Sequence, residues 1–283
     1  MEKRKIHVTK IRNTIEQLCV QAAYDLPGDV AASIDSAIKD ETSPLGRSVL
    51  EQLKKNYKIA KSDGYPICQD TGTAVVFLDV GSDVEIEGGS LEAAVSEGVR
   101  NGYEKGYLRK SIVADPLYRR KNTGGNTPPV LHVRQEQGRG LRITLVPKGG
   151  GSENMSRMAM LKPADGEEGV VQFVVETVLR AGANPCPPLI LGIGIGGNFE
   201  TVPLLAKEAL LLRVEEHNPD PQYAELEQTI LEKVNATGIG PGGFGGSITA
   251  LAVHIKTAPC HIASLPVAVN INCHAARHAE AIL

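Results

Sequence analysis

Apolar residues recur at helical spacing through the first 60 positions of the chain, with polar residues between them. The pattern predicts three amphipathic helices, and the sequence Ser62-Asp63-Gly64 ends the third of them. These helices are predicted at residues 8–26, 29–39 and 45–61. We therefore expect residues 1–64 to form a helical N-terminal part.

Residues 65–283 alternate between short apolar runs and glycine-rich segments. Strands are predicted at residues 74–80 and in the runs LILGI, ITALAVHI and LPVAVNI. The stretch LHVRQEQGRGLRITLVP predicts a hairpin of two strands that turns at residues 138–140. Further helices are predicted at residues 90–107 and in EGVVQFVVETVLRAG, FETVPLLAKEALLLR and PQYAELEQTILEKVN.

Helices gathered early in the chain and strands mixed with helices later predict an α+β fold rather than regular βαβ alternation. We expect a helical N-terminal part followed by a mixed, largely antiparallel sheet with flanking helices. No repeat or clear linker divides the chain, so a single domain over residues 1–283 is predicted, with the chemistry in residues 65–283.

The charge balance narrows the class of partner. Thirty basic and 33 acidic side chains give a net charge of -3, without the basic block that follows a phosphate backbone, so we expect no nucleic-acid partner. No stretch approaches the roughly 18 to 20 apolar residues of a membrane span, and no signal peptide opens the chain. These features predict a cytoplasmic protein that has no membrane partner.

Five cysteines occur without a CxxC pair, and this pattern favours reduced thiols over a disulfide framework. Cys19 lies on the apolar face of the first predicted helix and is expected in the core. Three others lie in polar or rigid loops beside predicted strands, in YPICQDTG, NPCPP and NCHAARH: they are Cys68, Cys186 and Cys273.

Such sulfur ligands suit an iron-sulfur cluster or zinc, and the spacing does not decide between them. Three ligands leave one iron of a four-iron cluster open to substrate as a Lewis acid. The plainer alternative for each of these three cysteines is that it is a small buried apolar residue without a ligand role.

One glycine pattern in the sequence suggests a nucleotide-binding site. Gly192, Gly194 and Gly197 fit GxGxxG after the apolar run LILGI, but the acid that follows, Glu215 or Glu216, lies in a helical pattern instead of ending a strand. The alternative is that these glycines let the backbone approach another element or a ligand.

Seven motifs occur in order between Tyr65 and His278: YPICQDTGTAVVF, GYLRKSIV, KNTGGNTPP, KGGGSENMS, NPCPPLILGIGIGGNFE, GIGPGGFGG and APCHIASLPVAVNINCHAARH. Together they resemble the α subunit of class I, iron-sulfur-dependent fumarate hydratase. The resemblance implies a [4Fe-4S] cluster held by Cys68, Cys186 and Cys273, with Cys260 left over.

The same resemblance implies roles for the residues around the cluster. Gln69, Asp70 and Arg109 would contact substrate, the loop at residues 149–151 would offer backbone amides such as that of Gly150, and His261 would pair with Asp70 in proton handling. These residue types suit the reaction, because charge builds on a carboxylate when the neighbouring C–H is removed.

Each of these residues also has a structural alternative. Arg109 could be a surface cation, and His261 a capped core histidine. Asp70 could fix an Asx turn with the N–H of Gly72, and residues 149–151 could form only a tight turn. His274 and His278 are read as structural or rim residues.

The resemblance also implies partners. Single-chain family members continue into a second domain that resembles a separate β subunit, so we expect a hetero-oligomer, a heterotetramer by analogy, in which the α chain alone has little activity. The expected reaction is hydration of fumarate to (S)-malate, a step of the tricarboxylic acid cycle. The alternatives are a tartrate dehydratase α subunit and a non-catalytic iron-sulfur or zinc-binding protein.

Overall fold

The structure is a computed structural model that describes residues 3–283. Residues 1 and 2, with which the predicted N-terminal part begins, lie outside the described range. The helices are α1 Val8–Tyr24, α2 Gly28–Asp40, α3 Pro44–Asp63, α4 Leu91–Lys105, α5 Gly150–Glu153, α6 Gly166–Ala181, α7 Val202–Ala209 and α8 Pro221–Asn235. The strands are β1 Arg4–His7, β2 Thr73–Gly81, β3 Val84–Glu87, β4 Val130–Glu136, β5 Leu141–Lys148, β6 Arg157–Leu161, β7 Leu189–Gly196, β8 Ala250–Ala258, β9 Leu265–Asn272 and β10 Ala279–Ile282.

The chain divides into two compact units, each built from separated segments. The first consists of the chain up to Pro27, Tyr57–Gly150 and Arg277–Leu283. The second consists of Gly28–Asn56 and Gly151–Ala276. Because the segments alternate along the chain, the division does not test the predicted single domain, which stays a prediction.

In the first unit, α1 packs on β5 and β10 of a four-stranded sheet of order β10-β5-β2-β4, and α4 packs against α1. Strand β2 pairs antiparallel with β5 and parallel with β4, and β1 pairs with β3 in a small parallel sheet. The helices approach closely because α4 carries Gly102, where a Cβ would lie 2.6 Å from the Cβ of Cys19. Cys19 is 1% exposed, so its predicted place in the core is confirmed, and burial raises the pKa of its thiol.

In the second unit, α6, α7 and α8 flank a four-stranded sheet of order β6-β9-β7-β8. Gly192 and Gly194, from the GxGxxG pattern, lie within β7 and not in a turn. A Cβ at Gly192 would lie 2.1 Å from the carbonyl oxygen of Ala206, and one at Gly194 2.4 Å from that of Val202. These glycines therefore let α7 pack directly on the strand, which is the structural alternative offered for them.

The predicted N-terminal helices and the α+β class are confirmed, and four of the seven strand pairings in residues 3–283 are antiparallel. The predicted hairpin is wrong. Both of its strands exist, as β4 and β5, but β2 lies between them and pairs with both. β2 is apolar on both faces and takes the central place, whereas the polar β4 takes the edge.

Two further differences concern short elements. The segment after Gly149, predicted as a loop, includes the single helical turn α5, and the strand β1 precedes the first helix without having been predicted. No helix within residues 3–283 combines the length and the apolar character that a membrane crossing requires.

Candidate functional site

The segment YPICQDTG runs from the end of α3 into β2 and is fixed at both ends. At its start, the N–H of Ile67 donates to the carbonyl of Ala23 at 2.9 Å. At its end, Gly72 has φ +72°, and a Cβ there would lie 2.6 Å from the carbonyl carbon of Lys148. Only glycine allows this close approach to β5. The backbone between these two points carries Cys68, Gln69 and Asp70.

The carboxylate of Asp70 is held by two backbone amides. Its Oδ1 accepts from the N–H of Gly72 at 3.1 Å, which is the Asx turn considered from the sequence. Its Oδ2 accepts from the N–H of Gly150 at 2.8 Å. Gly150 is the first residue of α5, so the glycine-rich segment orients Asp70 through its amide.

Two buried polar side chains, Tyr103 and Asn126, hold the backbone of this loop through hydrogen bonds. The hydroxyl of Tyr103 lies 2.6 Å from the carbonyl oxygen of Thr71 and 2.9 Å from that of Gly72. Nδ2 of Asn126 donates to the Gly72 carbonyl at 3.0 Å, and Oδ1 of Asn126 accepts from the N–H of Ser111 at 2.8 Å. Burial raises the pKa of Tyr103, so the hydroxyl stays protonated and donates.

Arg277 places a buried positive charge beside Asp70. It is 4% exposed, and its Nη2 donates to the Asp70 carbonyl at 2.5 Å. Its Nε and Nη1 are buried and have no hydrogen-bond partner among the described residues. An incompletely paired buried guanidinium is costly for a fold, and such groups are typical of functional sites.

The two other predicted substrate contacts of the first unit, Gln69 and Arg109, both have exposed side chains. The carbonyl of Arg109 accepts from Oγ1 of Thr71 at 2.9 Å, so its backbone is tied to the loop that carries Asp70. Both polar side chains are therefore open to a small anion from solvent.

Cys68 is half-buried, and the N–H of Asp70 lies 3.4 Å from its Sγ in the geometry of a hydrogen bond. An N–H directed at sulfur helps to orient a cysteine that acts as a metal ligand.

In the second unit, Cys186 and Cys273 lie at the same end of the sheet. β7 and β9 are antiparallel with Ile190 opposite Asn272, so the segment before β7 meets the segment after β9. The carbonyl of Cys186 accepts from the N–H of His274 at 3.3 Å. Cys186 is exposed and has φ +56°, an uncommon conformation for a residue other than glycine.

The glycine-rich segment before β8 packs against the Cys186 loop. The N–H of Gly242 donates to the carbonyl of Pro187 at 2.8 Å. Farther along, the N–H groups of Ser247 and Ile248 donate to the carboxylate of Glu41 at 2.9 Å each. Glu41 is fully buried and also accepts from the N–H of Ser43 at 2.8 Å. A single buried carboxylate therefore fastens the segment that supports Cys186.

His261 belongs to the turn between β8 and β9 and is exposed. Its Nδ1 accepts from the N–H of Ala263 at 3.1 Å, so the neutral imidazole carries its proton on Nε2. The ring lines a pocket of about 550 Å³, and Cys260, Tyr223 and Leu226 line it as well. His261 is thus open to a small molecule, and its predicted pairing with Asp70 of the first unit stays a prediction.

Comparison with known proteins assigns the chain to a family. A sequence model of the family described as "Fumarate hydratase (Fumerase)" matches residues 12–282. The chain belongs to the fumarate hydratase family. It is therefore a hydro-lyase, and the resemblance read from its motifs is confirmed.

The chain is also similar to proteins named "L(+)-tartrate dehydratase subunit alpha". The Escherichia coli protein is 32% identical over 272 residues, which cover 95% of this chain and 89% of that one. A Methanocaldococcus jannaschii protein, whose name gives the same subunit as a provisional assignment, is 43% identical over 275 residues, covering 95% of this chain and 96% of that one.

The thiols of this fumarate hydratase family member suit an iron-sulfur cluster in their chemistry. All five cysteines are outside disulfide bonds, and Cys68, Cys186 and Cys273 are at least partly accessible, whereas Cys19 is buried. Within residues 3–283, no three histidine, cysteine or acidic side chains are already grouped as for a metal ion. The donor set fits the cluster, and its assignment to these three residues stays a prediction.

Sequence reasoning missed four residues that support the loops of the predicted site residues: Tyr103, Asn126 and Arg277 in the first unit, and Glu41 in the second. Asn126 and Arg277 lie inside the quoted motifs KNTGGNTPP and NCHAARH, so the motifs marked them without giving a role. Glu41 and Tyr103 lie outside all seven motifs, and no local pattern distinguishes them.

Proposed function

We propose that the chain is the α subunit of a [4Fe-4S]-dependent hydro-lyase that hydrates fumarate reversibly to (S)-malate. The observation that carries the proposal is the placement of Asp70. Its carboxylate is fixed by two backbone amides, 3.1 Å and 2.8 Å away, on the loop that also presents Cys68 and Gln69. In this proposal, one segment would deliver both a metal ligand and an oriented proton-handling group.

Cys68, Cys186 and Cys273 would hold the cluster. When bound, a cluster with three protein ligands supplies a Lewis-acidic iron for the oxygen that leaves the substrate. The five reduced cysteines fit a reducing compartment, so we place the reaction in the cytoplasm.

The protein groups have separate tasks in this proposal. Arg109 would bind a substrate carboxylate with its planar guanidinium and stabilise the charge that builds there when the C–H proton is removed. His261, with a proton on Nε2, is suited to exchange a proton with Asp70. The N–H of Gly150 already donates to Asp70. To donate to the substrate instead, this N–H would have to give up its hydrogen bond to Asp70.

A separate β subunit would complete the site. The names of the similar proteins include "subunit alpha", which supports a two-subunit enzyme. The base that removes the C–H proton, and further cations for the second carboxylate, would come from this partner.

L(+)-tartrate is the second candidate substrate. It is favoured by the names of the similar proteins from M. jannaschii and E. coli. Fumarate is favoured by the segments KGGGSEN and GYLRKS, which look more like the fumarase version. Tartrate differs from malate by one hydroxyl group, so both substrates need the same carboxylate-binding and proton-handling residues.

The test is anaerobic iron-sulfur reconstitution of the chain with and without its β subunit. Iron and sulfide per chain are measured first, and fumarate hydration and tartrate dehydration are then assayed by absorbance. We expect activity only in the pair. The variants C68S, C186S and C273S should each lose the cluster, whereas C260S, which removes another exposed thiol of the second unit, should keep it.

Other results would contradict the proposal in distinct ways. Full activity of the isolated chain would exclude the need for a partner. Tartrate turnover without fumarate turnover would select the second candidate. A chain that binds zinc through four ligands and has no exchangeable metal would favour the non-catalytic alternative.

A further inference from the structure

Residues 107–123, which follow α4, form a largely exposed segment of the first unit that we name the basic lobe. Its two sides are joined to each other by hydrogen bonds. The N–H of Ala114 donates to the carbonyl of Lys121 at 2.9 Å, and the N–H of Thr123 donates to that of Ile112 at 2.9 Å. The lobe therefore has a defined backbone conformation.

The tip of the lobe is closed by Asp115. Its carboxylate accepts from the N–H groups of Leu117 at 3.0 Å, Tyr118 at 3.2 Å and Arg119 at 3.0 Å. These hydrogen bonds lower the pKa of Asp115. The one acidic side chain of the lobe is thus used internally and fixes the direction of the tip.

The lobe exposes large side chains that would normally be covered. Tyr107 is 90% exposed, Leu117 68% and Tyr118 86%. Large exposed apolar side chains that lie together are typical of an interaction surface, and Leu117 and Tyr118 are adjacent in the chain. Tyrosine and arginine are also the residues most enriched among the energetically dominant contacts of protein interfaces.

The charge of the lobe is opposite to that of the chain. The lobe contains five cationic side chains and one carboxylate, that of Asp115, so its net charge is +4. The net charge of the whole chain is -3. The cations are Arg109, Lys110, Arg119, Arg120 and Lys121. A surface of this kind attracts an acidic partner and accelerates its association.

The base of the lobe is tied to the loop that carries Asp70. Thr71 Oγ1 donates to the carbonyl of Arg109 at 2.9 Å, and Asn126 joins the N–H of Ser111 to the carbonyl of Gly72 through bonds of 2.8 and 3.0 Å. A partner seated on the lobe would therefore lie beside the predicted substrate contact Arg109. This continuity with the site favours a partner that completes the site.

We propose that the basic lobe is the docking surface for an acidic face of the companion β subunit, with Leu117 and Tyr118 as apolar anchors and Arg119 and Arg120 as charged contacts. The inference rests on the two-subunit enzyme proposed above. It adds which part of this chain the partner recognises and which chemistry the partner must present.

The test measures the dissociation constant between the full-length chain and its β subunit at low and high salt. L117S/Y118S should weaken binding at least tenfold, and R119E/R120E should weaken it and reduce its salt dependence. F199S removes another exposed apolar side chain, and K55E/K58E reverses two exposed cations of α3; both controls should bind like wild type. Thermal unfolding should be unchanged in the lobe variants, because the altered side chains are exposed.

Each contrary outcome has a distinct meaning. If wild type binds the β subunit and both lobe variants bind equally well, the lobe is not the docking surface and the proposed function stands. If wild type does not bind the β subunit, the two-subunit enzyme and this inference fail together. Lobe-dependent self-association, or lobe-dependent binding of a single-stranded oligonucleotide without an effect on the β subunit, would assign the lobe to another occupant and overturn the proposal.

Discussion

The backbone N–H of Gly150 donates a hydrogen bond of 2.8 Å to Oδ2 of Asp70. The donor begins the helical turn α5, and the acceptor lies on the loop before β2. The contact connects two of the sequence motifs in one unit. It fixes the orientation of the carboxylate that the proposed reaction uses.

Replacing Asp70 with asparagine tests this arrangement. An amide group offers one acceptor where the carboxylate offers two, so one of the N–H groups of Gly72 and Gly150 would lose its partner. We expect D70N to lower the turnover number of the reconstituted complex by about 10²- to 10⁴-fold, the usual range for loss of a proton-transfer group. Stopped-flow or steady-state hydration assays measure this directly.

The control for D70N is D115N in the basic lobe, which also removes a carboxylate that accepts backbone hydrogen bonds. D115N should keep the turnover number when the β subunit is saturating. Cluster content should be the same in D70N and wild type. Wild-type turnover by D70N would exclude a proton-handling role for Asp70.

Replacing Arg277 should affect the stability of the fold and the activity of the enzyme differently. Within residues 3–283, Nε and Nη1 of its buried guanidinium have no hydrogen-bond partner, so the charge costs the fold free energy that the hydrogen bond to the Asp70 carbonyl only partly offsets. We expect R277M to change the free energy of unfolding by less than about 1.5 kcal/mol, because removing a poorly paired buried charge is often nearly neutral. Urea unfolding measures that change.

Activity should respond differently to the same change. Without the Arg277 contact the Asp70 backbone is less firmly placed, and we expect R277M to lower kcat/KM at least tenfold, about 1.4 kcal/mol of transition-state stabilisation. R142M, which removes an exposed arginine of β5, should have no such effect. An R277M enzyme with normal kcat/KM would assign Arg277 to stability alone.

The sequence was sufficient where local patterns decide the structure. The apolar stripe of α1 and the capped start of α4 at Ser90 can be read directly, because amphipathic periodicity and capping are local. The pairing of β4 and β5 could not be read in this way. Neighbouring strands joined by a glycine turn normally pair, and only the non-local placement of β2 between them prevents it.

The same contrast between local and non-local features applies to the candidate site residues. Cys68, Gln69 and Asp70 are consecutive, so a motif identifies them together. Glu41 contacts Ser247 and Ile248, more than 200 positions away, and no spacing rule connects such residues. Buried polar groups that fasten loops are therefore visible only in the structure.

Glu41 predicts a pH-dependent stability. Burial alone would raise the pKa of its carboxyl, but the hydrogen bonds from Ser43, Ser247 and Ile248 outweigh burial and lower the pKa. A carboxyl whose pKa is lower in the folded state stabilises the fold above its unfolded value, about 4.3, and loses this contribution as pH falls through the folded value. E41Q should therefore be less stable than wild type at pH 7 by about 1–3 kcal/mol.

The difference between wild type and E41Q should shrink below about pH 4. Urea unfolding at pH 7, 5 and 3.5 measures it, with E51Q as the control because Glu51 is an exposed carboxylate of α3. E51Q should stay within about 0.5 kcal/mol of wild type at pH 7. A difference for E41Q that is constant over this pH range would mean that hydrogen-bond geometry, and not the charge, is responsible.

Two glycine-to-alanine changes should have opposite signs. At Gly102 a Cβ would lie 2.6 Å from the Cβ of Cys19 and 2.8 Å from the carbonyl oxygen of Glu16, so G102A must push α4 away from α1. We expect a loss of about 1–3 kcal/mol of unfolding free energy from this overpacking, despite the better helix propensity of alanine. At Gly28, the first residue of α2, a Cβ would meet no atom of the described residues 3–283 within 4 Å, so G28A should be neutral or stabilising by up to about 1 kcal/mol. Urea unfolding of both variants measures the two effects in one experiment, and equal shifts of the same sign would contradict the close packing of α1 and α4.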